Sequence, residues 1–535
     1  MAKITVSPES VKGSMGTIAS RWFKLDSNRT SMLQRQRSCA ELTVPSLLPP
    51  SGHTETQTLP TPYQGLGARG VNNLASKLLL ALFPPNAPFF KMAIDDFTLK
   101  KLTQEDGNRA KVEEALNKIE RAVMTEMETQ AMRVSLFMAL KYLVALGNAL
   151  LYLPDSGGMK VYRPDRYCVK RDPMGSVLEI IIKESVSPIV LPEALRGDNK
   201  NEENRKDLDT PIDLYTRIIR KGKMWEVVQE VNSKIVPESQ GTYPLDECPW
   251  IPLRWSAVDG EDYGRGLIEE YLGDLRSLEA LSQAIVEGSA AAAKVLFLVK
   301  PNGTTRISSL ANSENGAIKS GNADDVTVLQ MQKFNDFKVA LDTLNQIEQR
   351  LSQAFLLMSS IQRSAERVTA EEIRAMASEL EDALGGVYSV LSQEAQLPLL
   401  KRVMARMQRQ GNLPQMPGDQ IKPMLSTGLE ALGRGHDLSK LDNFIQGLMP
   451  LGAELLNQWI NMGDYLTRRG TALGIDMAGL VKSEEQRQQE TQQAQQAQQQ
   501  MMMQEAMKNS APTAIGAIAK EAAPQIMQGA MKGGS

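Results

Sequence analysis

The sequence predicts an α+β chain that is mainly α. Three observations carry this. Apolar residues recur every three or four positions before residue 148; short apolar runs split by turn residues replace them from Ala149 to about Val258; and helical spacing then returns in long segments.

Within the first region, Val112, Leu116, Ile119 and Val123 mark one amphipathic helix and Val134, Phe137, Leu140 and Val144 a second, until Gly147 and Asn148 change the period. NALLYLP, MKVY, VLEIIIK, PIDLYTRIIR and MWEVVQEV then read as strands, divided by DSGG, DPMG and KGK, which supply turn conformations. The charged stretch RGDNKNEENRKDLD has no apolar residue before Leu208 and reads as a surface loop or an insertion. A long helix follows, striped by Ile268, Tyr271, Leu275, Leu278, Leu281 and Ile285, and Ala290 to Ala293 would let another backbone come close. A compact interlude with strand-like ends and Asn and Gly turns leads to a second long helix, striped from Phe337 through Leu351 and Phe355 to Met358. The polar stretch SSIQRSAERVTAEE separates it from a third, which Thr369 and Glu372 would open as a capping box. That helix is striped by Ile373, Met376, Leu380, Leu384, Val387 and Leu391, and Pro398 should kink or end it. After Pro423 helical spacing runs to about Val481, and the Gln-, Met- and Ala-rich tail from Glu484 reads as disordered or weakly helical.

Composition excludes more than it includes. The chain has 535 residues, 42% of them hydrophobic, so it can bury a sizeable core. With 60 basic and 63 acidic residues and a formal charge of -3, it has no overall attraction for nucleic acid or an anionic membrane, and any DNA contact must be local. Cys39, Cys168 and Cys248 are far apart and lack CxxC spacing, which fits buried thiols in a reducing setting rather than a zinc site. The start, MAKITVSPESVKG, has no apolar core of a signal peptide, and the windows LASKLLLALF and ALKYLVALGNALLYL are too short and too interrupted to span a bilayer, so no membrane segment is expected. GLGARG matches GxGxxG, but it follows the Pro-containing TLPTPYQ rather than a strand, so a dinucleotide site is not expected. There is no GxxxxGK[ST] and no GxSxG, and with only His53 and His436 no histidine triad or HExxH can be built. Asp324 with Asp325, or Glu371 with Glu372, could in principle hold Mg²⁺, but adjacent carboxylates on loops and first turns more often serve solvation and capping. The chain therefore reads as non-enzymatic, with no catalytic residue, metal or cofactor.

Several long blocks resemble the portal, or head-to-tail connector, proteins of short-tailed podovirus bacteriophages. They are GARGVNNLASKLLLALFP at 67 to 84, GNALLYLP at 147 to 154, DGEDYGRGLIEEYLGDLRSLEAL at 259 to 281, ERVTAEEIRAMASELEDALGGVYSVLSQEAQLPLL at 366 to 400 and STGLEALGRG at 426 to 435. The loop at 184 to 209 and the tail beyond 484 do not visibly match. The resemblance implies a portal fold assembled as a dodecameric ring around a DNA-sized channel, with long stem helices, a β-rich wing, a small clip and a helical crown. On this chain it implies a helical wing region at 1–148, a β-rich wing region at 149–262, a first stem helix at 263–293 and a clip at 294–333. A second stem helix at 334–360, a tunnel loop at 361–368, a long kinked wing helix at 369–412, a crown at 413–483 and a low-complexity tail at 484–535 complete it.

The function so implied is a conduit for double-stranded DNA at one capsid vertex during packaging and ejection, which also nucleates head assembly. The partners implied are other copies of the chain, the terminase packaging motor, scaffolding and major capsid proteins, tail adaptor proteins and internal core proteins, with no membrane. Assembly would take place in the host cytoplasm and the product would reside in the virion. The tunnel loop would carry Gln362, Arg363, Ser364 and Arg367 to the DNA. A short basic loop repeated around a ring makes a positive girdle without a basic protein, and sliding DNA requires contacts to phosphates rather than bases. The residues alone leave another role for the arginines, a solvated loop with Arg367 paired to Glu371 one turn on. Two other functions differ in what they require: a packaging enzyme needs a nucleotide or metal motif, and a virion scaffold without a DNA channel needs sustained heptads.

Overall fold

The computed structural model describes residues 16–94 apart from 55, 86 and 87; 108–192 and 195; 210–292; 296–329 apart from 315; 334–357; 379, 380 and 383–414; 421–425; and scattered positions from 443 to 502. The chain divides into two units, Met1–Leu432 and Gly433–Ser535, and nearly all described residues belong to the first. Helix and sheet are mixed, as the sequence predicts.

Helices α1 (Ile18–Asn28), α2 (Thr30–Glu41), α3 (Leu66–Leu82), α4 (Asn108–Thr129) and α5 (Met132–Leu146) open the chain. Helix α3 places Val71, Leu74, Leu78 and Leu82 on one stripe, each at 0% exposure, and this stripe is the middle of the main core. Strand β1 (Phe90–Ile94) lies between α3 and α4, in a region whose sequence reads as mostly helical and names no strand. Helix α5 stops at Gly147, whose φ of 79° is left-handed and whose N–H bonds the Leu143 carbonyl at 2.8 Å. Any side chain there would also meet the backbone of Gly266, 2.4 Å from a built Cβ. Asn148 then pairs its amide with both polar groups of Gly264, at 2.7 and 2.8 Å, which fixes the chain's exit into β2 (Asn148–Tyr152).

The β-rich part consists of two antiparallel sheets. Strands β2, β3 (Lys160–Tyr162) and β10 (Trp250–Arg254) form one, in the order β10-β2-β3. The larger runs β4 (Tyr167–Arg171), β5 (Val177–Val186), β6 (Ile212–Lys221), β7 (Met224–Val231) and β8 (Lys234–Ile235), with β9 (Gly241–Pro244) also on β7. Lys221 faces Met224 across a two-residue turn that contains Gly222 at φ 60°. Its two faces explain the unbroken isoleucines of β5: Ile180 and Ile182 point into the cluster with Trp225 and Trp250, and Ile181 points to Trp22 of α1. Helix α1 is also held electrostatically. The buried Glu230 carboxylate accepts from the first helical N–H groups, Ile18 at 2.8 Å and Ala19 at 3.2 Å, and the buried Glu179 lies between Arg21 at 2.8 Å and Arg217 at 2.7 Å.

Next come α6 (Leu267–Glu270), α7 (Leu272–Ala292), the strand pair β11 (Leu296–Val299) and β12 (Val326–Leu329) with the short α8 (Ile307–Ala311) between them, and α9 (Phe334–Ala354). Helices α7 and α9 pack antiparallel, since Asp274 meets Arg350 at 2.9 Å and Gly288 lies under the Phe337 ring. Each has 21 residues, so each is about 30 Å long. Only one end of the pair is sunk in the core, through Leu275, Leu278, Ile347 and Leu351; toward the other, Val286 is 54% and Val339 67% exposed. The turn between the strands is tied by Asp325, whose Oδ2 accepts from the N–H of Thr304 at 2.7 Å and of Thr305 at 3.2 Å and from both hydroxyls.

The last helical part departs from the sequence reading. Gly385, at φ 50°, interrupts the helix before α10 (Gly386–Leu391), and Pro398 does not end it. Instead the ladder shifts to π spacing over Ser392–Gln396 and resumes as α11 (Leu397–Arg409), with the proline in the new first turn, where no intrahelical donor is needed. Buried Arg402 on α11 holds the Leu153 carbonyl through two nitrogens, at 3.2 and 3.1 Å, and Asp155 at 2.8 Å. Pro423, where helical spacing was expected to resume, sits in strand β13 (Ile421–Leu425), which pairs with β1; in a two-stranded sheet a proline removes few ladder bonds.

Candidate functional site

The residues singled out for DNA contact, Gln362, Arg363, Ser364 and Arg367, lie outside the described residues, as do Thr369 and Glu372 of the expected capping box. The chain is described to Leu357 and again from Glu379, so the geometry at hand is that of the two ends of this segment.

The first end is a helix stop of unusual composition. The Leu357 N–H bonds the Ser352 carbonyl at 2.8 Å and the Leu356 N–H bonds that of Gln353 at 3.0 Å, the paired reverse bonds of a Schellman motif. The position that must be left-handed is Leu356, at φ 52°, where glycine is usual, and the side chain makes that conformation dearer by about 1–2 kcal/mol. Helix α3 holds the strained stop in place. Asn73 Nδ2 donates to the carbonyls of Phe355 at 2.9 Å and Leu356 at 3.2 Å, and Lys77 Nζ donates to Leu356 at 2.9 Å. Phe355 itself is fully buried against Gly70, where a built Cβ would lie 2.3 Å from the ring, and edge-on to Tyr271 at 6.0 Å.

The second end returns to the same lysine. Glu379 Oε2 is 3.5 Å from Lys77 Nζ, whose side chain is only 5% exposed. Burial holds the Lys77 ammonium below its ordinary pKa, against the opposing pull of Glu379. One buried cation thus meets a carbonyl just before the segment and a carboxylate just after it. The sequence reading noted Lys77 only as a charge breaking an apolar window. That same oddity, a lysine within a core stripe, was the available signal that it has buried partners.

The other candidates resolve as packing. In GLGARG, a Cβ on Gly67 would be 2.4 Å from the Leu42 carbonyl, and Gly70 admits Phe355, so these glycines bring α3 against protein atoms. Asp325 is occupied by Thr304 and Thr305. Cys39 and Cys168 are buried and Cys248 half-buried, all as free thiols. Glu371, Glu372 and His436 lie outside the described residues. Among the described residues there is no group of three His, Cys, Asp or Glu side chains able to hold a metal ion, and no helix is long and apolar enough to cross a membrane.

Comparison with known proteins extends this picture to the whole chain. Residues 15–481 match the family described as bacteriophage head to tail connecting protein. The portal protein of Enterobacteria phage T3 is 42% identical over 520 residues, 95% of this chain and 95% of the relative, and that of Escherichia phage T7 is 43% identical over 471 residues, 87% and 88% of the two chains. A solved chain from the neck of an empty GTA particle computed with C6 symmetry covers 71% of this chain and 86% of its own at 14% identity, with a TM-score of 0.34, a likeness too slight to bear on the fold. The matched span contains both long helices, both sheets of the β-rich part and the anchored ends of the arginine-bearing segment, and at these identities over nearly full length the chain belongs to the bacteriophage head-to-tail connecting protein family.

Proposed function

We propose that copies of this chain form a closed dodecameric ring at one vertex of the phage head, through which double-stranded DNA enters during packaging and leaves at ejection. The observation that carries this reading is the match to portal proteins over 95% and 87% of the chain. The α7 and α9 pair agrees with it. Half of its length carries exposed Val286, Val339 and Leu341, apolar surface that a neighbouring subunit would cover.

In this reading α7 and α9 are the stem, the segment with β11, α8 and β12 is the clip, and the two β-sheets belong to the wing. The segment after α9 is the tunnel loop, where Arg363 and Arg367, flanked by Gln362 and Ser364, meet phosphates. The ring would nucleate head assembly with scaffolding, major capsid and internal core proteins in the host cytoplasm, then receive the terminase motor and later the tail adaptors. It conducts DNA and turns over neither DNA nor nucleotide.

The test has two arms. Purified protein is expected as rings in negative-stain images and by light scattering, and a stable 59.0 kDa monomer at micromolar concentration would overturn the assembly. In a complementation assay, Arg363→Glu with Arg367→Glu is expected to leave ring formation and proheads intact while filled heads and infectivity fall. Wild-type numbers of filled, infectious particles would remove both arginines from the channel, and loss of rings would make them structural.

A further inference from the structure

We infer that Lys77 is the positioning residue for segment 358–378: from helix α3 it ties together the two chain ends between which that segment runs. The juxtaposition is specific. The Leu356 carbonyl lies 2.9 Å and the Glu379 carboxylate 3.5 Å from one ammonium, itself nearly enclosed. The tie is also rigidly founded. Helix α3 carries a fully buried stripe of the main core, so Lys77 does not move independently of Val71, Leu74 and Leu78.

Physical chemistry assigns each neighbour a part. Leu356 has no intrinsic preference for its left-handed backbone, and leucine is a good helix former, so without an outside hold α9 has no local reason to stop there. The carbonyls of Phe355 and Leu356, just past its end, need donors, and helix α3 provides them from Asn73 and Lys77, one helical turn apart. The cation that holds the carbonyl at the stop of α9 is at the same time the counter-ion of Glu379, so where one end of the segment stands fixes where the other must stand. A lysine does this and an apolar residue of equal length does not, because only the ammonium can donate to a carbonyl and a carboxylate at once.

The inference deepens the channel reading, because a constriction works only if its loops all project alike. Its test nevertheless needs no DNA. Hydrogen exchange followed by mass spectrometry on the assembled full-length protein should show peptides within 358–378 exchanging about ten times faster in Lys77→Met, with peptides of 272–292 unchanged and Lys77→Arg within about twofold of wild type. Exchange in 358–378 that stays at the wild-type rate, or that rises equally across the whole chain, overturns the assignment. If Lys77→Met does not yield folded protein, Glu379→Gln decides. It removes the ionic partner and keeps the shape, and it should raise exchange in 358–378 about threefold; no change there overturns the tie. A flat result at these positions leaves the arginine assignment standing, and a failed arginine test leaves the tie standing.

Discussion

Substitution of Gly70 by alanine tests whether the glycines of GLGARG exist for packing. A built Cβ at this position lies 2.3, 2.6 and 2.9 Å from three atoms of the Phe355 ring, where ordinary carbon contacts are about 3.5–4 Å. Something must therefore move by about an ångström, and the ring has little freedom. It is fully buried, edge-on to Tyr271, and its own carbonyl is held by Asn73 at 2.9 Å. Overpacking of this kind costs about 1–3 kcal/mol. Replacing glycine by alanine within a helix gains about 1 kcal/mol, so a net destabilisation of about 0–2 kcal/mol is expected. The assay is guanidinium denaturation of four proteins: wild type, Gly70→Ala, Phe355→Leu and the double variant. With the smaller leucine the added methyl has room, so Gly70→Ala should be neutral or stabilising in that background, a coupling of at least 1 kcal/mol. Equal effects in both backgrounds, or a stabilised Gly70→Ala single variant, would refute the packing account.

Two more outcomes follow from single residues. Burial raises the Asp325 pKa, but the hydrogen bonds from Thr304 and Thr305 outweigh it and hold the carboxyl below its ordinary value. A depressed folded pKa gives stability that is complete above the unfolded value of about 3.9 and is lost as the pH falls through the lower folded one. Exchange in peptides of 296–329 should therefore rise below about pH 4 in wild type, while Asp325→Asn should exchange faster already at pH 7; a wild type with no acid step refutes this. Burial pushes the thiols of Cys39, Cys168 and Cys248 up to about 12, so the native protein at pH 8 should resist iodoacetamide while unfolded protein takes three equivalents. Labelling of native protein at the rate of the unfolded control would contradict it.

What could be read from the sequence was whatever is decided locally. Gly147 and Asn148 announced the end of α5 because a left-handed stop needs glycine, and KGK announced the β6–β7 hairpin because its turn needs positive φ. The stripe of α7 could be read because its repeat is set by helix geometry alone. What could not be read depends on partners far along the chain. Strands β1 and β13 are five residues each and make sense only against one another, across more than three hundred residues. At Pro398 the sequence left a kink or an end open, and could not choose, because the π stretch that lets the helix run on past the proline is not a pattern that apolar spacing reveals. Arg363 and Arg367, singled out through the family resemblance, lie outside the described residues, and no local pattern pointed to Lys77 and Asn73, whose contacts arise only when α3 meets the end of α9. The long blocks shared with portal proteins carried the family, which no single residue pattern could have done.

The position of α3 in the chain has a consequence for biosynthesis. Its last turn is closed by residues made much later: the Ala81 carbonyl accepts from the Tyr388 hydroxyl, 307 positions on, and the Leu82 carbonyl from the Gln396 amide, 314 positions on. At about 5–20 residues per second, a ribosome takes on the order of half a minute to bridge that gap. For most of it the stripe of Val71, Leu74 and Leu78 has early neighbours such as α5 to cover it, and not the end of α9. The nascent chain therefore presents an adhesive helix to every other nascent chain nearby, and contacts this distant in sequence form slowly even once all the residues exist. Yield of soluble subunits should accordingly respond to translation speed and to chaperones that shield apolar helices, more than to anything done to the finished fold.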